Sequence, residues 1–210
     1  MLKKSYLSES LLCYLTFQIL NGILYCFNNK IVHLDIKPQN IVIDCFLNAK
    51  IIDFSISMIY KDKKPLDEIR QPYIAPEMIS SRKIKIKDLH KVDLYSLGVM
   101  LYNFAFCKYP YNLTYGDEEN YNKIYEKIMG HKLDLSDEGE YSKFFLDFLD
   151  KLLERNITKR MNINQAMNHY WLKGAKILMD EKEKMYNVAM FLSYLIIDYI
   201  KSFNDYQKRK

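Results

Sequence analysis

Ile31-Val32-His33-Leu34-Asp35-Ile36-Lys37-Pro38-Gln39-Asn40-Ile41-Val42-Ile43 is the stretch on which the reading of this 210-residue chain turns. It sets a carboxylate, an ammonium and a side-chain amide (Asp35, Lys37 and Asn40) within six residues, in an otherwise apolar frame. Upstream, Leu11, Leu12, Leu15, Ile19, Leu20, Ile23 and Leu24 repeat at helical spacing. Ser8 is the expected N-cap and Asn28-Asn29 the expected stop. Downstream, Ile41 to Ile43 and Lys50 to Ile52 are two short β-like runs around a loop with Asp44 and Asn48.

Further out, residues 55–76 carry Lys, Asp, Pro and Gln and are expected to form a long irregular loop, which in a compact domain is usually functional. Val92 to Phe106 is almost continuously apolar, the pattern of a buried helix. From Tyr121 onward the pattern is helical throughout. The fold class is therefore mostly α with a small β hairpin.

Composition narrows the classes. Apolar residues make up 49% of the chain, enough for a packed core. A formal net charge of +5, with acids and bases interspersed, does not point to nucleic acid. Cys13, Cys26, Cys45 and Cys107 have no CxxC or metal-ligand spacing and sit among apolar residues; four buried, reduced thiols and an intracellular, cytoplasmic setting are expected. No stretch reads as a signal peptide or as apolar enough to span a bilayer; Val188 to Ile197 is too short.

The quoted stretch resembles the catalytic loop of eukaryotic-type serine/threonine protein kinases, His-x-Asp-x-Lys-x-x-Asn between a helix and a hairpin. Phosphoryl transfer needs a carboxylate to orient the acceptor hydroxyl, a cation near the moving phosphate and an amide oxygen on a metal ion. The resemblance assigns these roles to Asp35, Lys37 and Asn40. Lys37-Pro38 is similar to the serine/threonine type. Ile51-Ile52-Asp53-Phe54-Ser55 resembles Asp-Phe-Gly, making Asp53 a second magnesium ligand, and Val42 would lie against the adenine. Tyr73-Ile74-Ala75-Pro76-Glu77 resembles the end of an activation segment. Asp93-Leu94-Tyr95-Ser96-Leu97-Gly98 resembles the start of a central helix whose aspartate braces the catalytic loop. Arg160 stands where the family pairs an arginine with the Glu77 carboxylate. The resemblance spans roughly residues 5–173. It implies ATP and Mg2+ as cofactors, a protein substrate, a partial kinase domain over 1–173 (the large lobe) and a helical extension over 174–210.

Departures from the pattern matter as much. There is no Gly-x-Gly-x-x-Gly, strand lysine or helix glutamate before residue 31. The reading therefore expects a large lobe without the N-terminal β-rich lobe, little activity in this chain alone, and a natural product that continues upstream of Met1. Leu34 replaces an arginine, and residues 56–72 hold no threonine and one serine, Ser57, so control by activation-loop phosphorylation is not expected. Ser55 replaces a glycine and should restrict the backbone there. Arg70 replaces a threonine that would contact the catalytic aspartate. Gln39 and Asn103 stand where glutamates would favour basic substrates.

His33 is expected to pack beneath Phe54, and His90, His131 and His169 to lie at the surface or at helix ends. Val188, Phe191, Leu192, Leu195, Tyr199 and Phe203 form an apolar face in the extension, suited to packing on the large lobe or to docking a partner. Two readings stay open: a protein serine/threonine kinase, favoured by Asp35, Lys37, Asn40 and Asp53, and a catalytically inactive, pseudokinase-like interaction module, favoured by the absent clamp and Arg70.

Overall fold

The computed structural model describes residues 7–59, 72–80, 84–114, 120–136 and 141–175. Arg70 and the apolar face at 188–203 lie outside them. Ser8 accepts a hydrogen bond from Leu11 N at 3.4 Å and starts helix α1, Glu9–Asn28, which Asn29 closes by donating to the Phe27 and Tyr25 carbonyls. Leu12, Ile19, Leu20 and Ile23 enter the main core, while Leu11, Tyr14 and Leu15 pack with Leu47 in a smaller cluster. With apolar residues on both sides, α1 has 20 residues and a mean hydropathy of 1.5 over its best window, long and apolar enough to cross a membrane. The expectation that no stretch is so apolar is corrected here. Over half of that window is buried in the fold, which accounts for its composition.

Four short strands follow: β1 (Ile31–Val32), β2 (Ile41–Ile43), β3 (Ala49–Ile51) and β4 (Met58–Ile59). β2 and β3 pair antiparallel, Ile41 with Ile51, Val42 with Lys50 and Ile43 with Ala49, one residue earlier in β3 than the sequence pattern suggests. Asp44 closes their turn, its carboxylate accepting from Phe46 N, Asn48 N and Asn48 Nδ2. Gln18 of α1 docks the hairpin, donating to Leu47 O and accepting from Ala49 N. β1 pairs antiparallel with β4, Ile31 opposite Ile59. The stretch after Ser55 thus opens with an ordered strand rather than an irregular loop.

Helix α2 (Pro76–Ile79) precedes α3 (His90–Phe106), the core of the fold, in which almost every side chain is buried. α5 (Lys143–Leu152) and α6 (Ile163–Met167) pack against it, and α4 (Tyr121–Gly130) packs against α2. Continuous helix from Tyr121 onward is not what forms. Non-helical segments separate the three, and each helix starts on its own side-chain cap, Asn120, Ser142 or Asn162. Ala175, the last described residue, is still in the core.

One further expectation is corrected. All four cysteines are free, but only Cys13 and Cys26 are buried. Cys45 sits at the hairpin turn, and Cys107 is the left-handed C-cap of α3 (φ 51°), both outside the core. His90 begins α3, a helix end as expected, and is buried there at 4% exposure.

Candidate active site

The loop after β1 hangs from the first turns of α3. Both carboxylate oxygens of Asp93 accept backbone bonds, from His33 N and from Leu34 N, each at 2.8 Å. Burial pushes the Asp93 carboxyl upward, and these two N–H groups pull against it. They also hold Leu34 in the left-handed region at φ 67°, a conformation that costs a non-glycine residue about 1–2 kcal/mol. Asp35 N donates to His33 Nδ1 at 3.2 Å, so the ring proton sits on Nε2 and is donated to Ile52 O at 3.0 Å. The His33 ring meets Phe54 edge-on at 4.6 Å, the packing expected of it.

The structure brings Asp35, Lys37 and Asn40 into direct contact. Asp35 Oδ2 accepts from Lys37 Nζ at 2.8 Å and from Asn40 Nδ2 at 2.7 Å. Asn40 Nδ2 also donates to the Asp35 carbonyl at 2.9 Å. A short 3₁₀ turn, Pro38–Asn40, produces this juxtaposition, and Ile52 N pins its end by donating to Asn40 O. With both amide bonds made by nitrogen, Asn40 Oδ1 is left for a further electrophile.

Asp53 follows β3 in the left-handed region, φ 63°. Its Oδ1 accepts from Ser55 Oγ at 2.6 Å and Ser55 N at 3.2 Å. Those bonds lower the Asp53 pKa first, with Lys37 and His33 contributing, so the carboxylate is ionised. The backbone constraint expected at Ser55 falls instead on Asp53, and Ser55 contributes a hydroxyl that glycine lacks. That role was missed by treating Ser55 as a lost glycine; the Asp-x-Ser spacing of a side-chain-closed turn was its signal. An ionised carboxylate and an amide oxygen are the hard donors Mg2+ prefers. Among the described residues no group of three or more His, Cys, Asp or Glu could hold a metal ion.

Val42 lies on the outer face of the hairpin. Ile41 and Ile51 pack on the core, so alternation turns Val42 and Ile52 outward, 46% and 41% exposed. Phe54 is 44% exposed beside them. Leu34 faces the other way, buried with Tyr73, Met78 and Val92. It seals the loop against the segment before α2 and offers nothing to an anion. Ser96 Oγ anchors that segment by donating to Tyr73 O at 2.9 Å, and Glu77 at its end pairs with Arg160.

Compared with known protein families, residues 1–172 match the protein kinase domain. The chain is similar to a SNF1-related protein kinase catalytic subunit alpha (KIN12) of Arabidopsis thaliana, 33% identical over 82% of this chain and 33% of the relative. It is also similar to the serine/threonine protein kinase OSK3 of Oryza sativa, 32% identical over 74% of this chain and 29% of that one. An Aurora kinase of Patiria pectinifera is 32% identical over 75% of this chain and 36% of its own length. The chain therefore spans about a third of the length of the curated relatives it matches. A loop at His33–Leu34 braced from α3 and a family match over most of the sequence lead to one conclusion: this chain belongs to the protein kinase domain family.

Proposed function

We propose that residues 1–173 form the large lobe of a serine/threonine protein kinase, one wall of a cleft in which the γ-phosphate of ATP passes to a protein hydroxyl. The observation that carries this reading is the shared grip of Lys37 and Asn40 on Asp35 Oδ2. It fixes the carboxylate so that Asp35 orients an acceptor hydroxyl and draws its proton. Lys37, 2.8 Å from that oxygen, places its positive charge where negative charge develops on the transferring group. Asn40 Oδ1 and Asp53 would hold Mg2+, which neutralises the nucleotide phosphates when bound. Val42 supplies apolar surface for the adenine. The free thiols fit a reducing compartment. Residues 174–210 are proposed as an extension that docks on this lobe or on a partner.

A second reading, a non-catalytic interaction module, is favoured by the exposure of Val42, Ile52 and Phe54, which leaves the nucleotide wall uncovered in the described fold. Calorimetric titration of the chain with Mg-ATP separates the two. Weak binding that disappears in Asp53→Asn supports the kinase reading. Absence of binding at millimolar nucleotide overturns it in favour of the module.

A further inference from the structure

We infer that Ser55 is a positioning residue that fixes the Asp53 carboxylate and presents Oδ2 as its single metal-ligating oxygen. The inference rests on the proposed metal role of Asp53 and goes beyond it to say how that side chain is aimed. Two bonds converge on Oδ1, the Ser55 hydroxyl at 2.6 Å and the Ser55 amide at 3.2 Å. A carboxylate oxygen carrying two donors has little lone-pair density left for a cation. Both of these bonds fall on Oδ1, and Oδ2 carries no hydrogen bond among the described residues.

The turn is held a second time. Ser57 Oγ and Ser57 N donate to Phe54 O at 2.6 and 3.2 Å, and Phe54 leans edge-on against the buried His33 ring. Asp53 at φ 63° is thus clamped on its C-terminal side by two serine hydroxyls. On its N-terminal side, Ile52 O accepts from His33 and Ile52 N donates to Asn40 O. The same Asn40 supplies the second oxygen donor. One backbone bond therefore links the two ligands, and the Ser55 hydroxyl sets the remaining free torsion, that of the Asp53 side chain. A glycine at position 55 would keep the amide bond and lose the stronger, shorter one. Because Leu34 is buried and offers no anion site, the carboxylate is aimed by local hydroxyls with no phosphate required.

Partners that orient a ligating carboxylate are worth roughly tenfold in metal affinity, at the low end for an exposed site. The test is a titration of the full chain with Mn2+, followed by broadening of the Asn40 and Asp53 amide resonances. Thermal melts confirm that each variant is folded. Ser55→Ala and Ser55→Gly are expected to raise the half-saturating Mn2+ concentration about tenfold. Ser55→Thr, which keeps the hydroxyl, stays near the parent, and Asp53→Asn removes the effect. If Ser55→Ala and Ser55→Gly titrate like the parent while Asp53→Asn does not bind, the role of Ser55 is wrong and Asp53 stands as the ligand. If the parent shows no broadening, or Asp53→Asn titrates like it, the metal assignment itself fails and takes the inference with it.

Discussion

Arg160 reaches across 83 positions of sequence to grip both carboxylate oxygens of Glu77, Nη1 to Oε1 at 2.5 Å and Nη2 to Oε2 at 2.8 Å. Arg160 is 1% exposed, also donates to the Glu154 and Lys91 carbonyls, and lies over the Tyr95 ring at 4.7 Å. The pair locks α2 to the segment before α6. Stranding either charge in this setting costs about 3–5 kcal/mol. Glu77→Ala and Arg160→Ala are each expected to lose that much in urea unfolding, Arg160→Ala the more because two carbonyls lose their donor. A loss below about 1 kcal/mol in both would mean the pair does not hold the fold together.

Asp93→Asn should loosen the loop after β1 without unfolding α3. An amide has one accepting oxygen, and its NH2 group would confront a backbone N–H. Charge-assisted bonds of this kind are worth about 1.5–3 kcal/mol each. Hydrogen exchange at the His33 and Leu34 amides should accelerate at least tenfold while the α3 amides stay protected. Unchanged exchange at both would show that the loop is held by other contacts.

Burial lowers the His90 pKa to about 4, with Lys91 adding to the shift and Asp88 and the Lys87 carbonyl opposing it. A free imidazole titrates near 6.5, so between these values the unfolded chain binds more protons than the folded one. Stability is therefore complete above pH 6.5 and falls as pH drops toward 4, by at most roughly 3 kcal/mol. Measuring unfolding free energy from pH 4 to 7 checks this. His90→Phe should flatten the slope in that window, and a slope that survives the substitution assigns it to other groups.

Gly98 lets α3 lie close against the C-terminal end of α5. A Cβ there would come within 2.9 Å of Leu152 Cβ and 3.2 Å of Leu153 Cγ and Cδ2. Because the nearest atom lies at the root of its side chain, it cannot swing away. Gly98→Ala is expected to destabilise by about 1–3 kcal/mol, read as a lower thermal midpoint. An unchanged midpoint would mean the two helices can spread without cost.

What the sequence made legible was the part governed by local chemistry. Ser8 caps α1 and Asn29 ends it because capping depends on a few adjacent residues. Asp35, Lys37 and Asn40 meet because one 3₁₀ turn joins them. The pairing of β1 with β4 was not legible: two residues show no periodicity, and Ile31 finds Ile59 only once the intervening hairpin has formed. His90 looked like a helix-end residue in one dimension, and its burial depends on Phe27 at the far end of α1, 4.4 Å from its ring. The apolar setting of Cys45 and Cys107 misled for a related reason. Hydrophobic neighbours in sequence say nothing about a residue that takes the turn between them.

Glu9, in the first turn of α1, accepts from Ser142 N and Oγ at 2.6 and 2.5 Å and from Trp171 Nε1 at 2.9 Å. These partners lie 133 and 162 positions downstream. On a ribosome adding about 5–20 residues per second, the first of them is made roughly 7–27 s after Glu9. Throughout that interval the most apolar helix among the described residues waits beside the exit tunnel, its carboxylate unmet and its core face uncovered. The fold closes late, on residues that are among the last described to be translated. Nascent chains stalled before residue 142 should accordingly be captured by hydrophobic-segment chaperones, and chains stalled well beyond residue 175 should not.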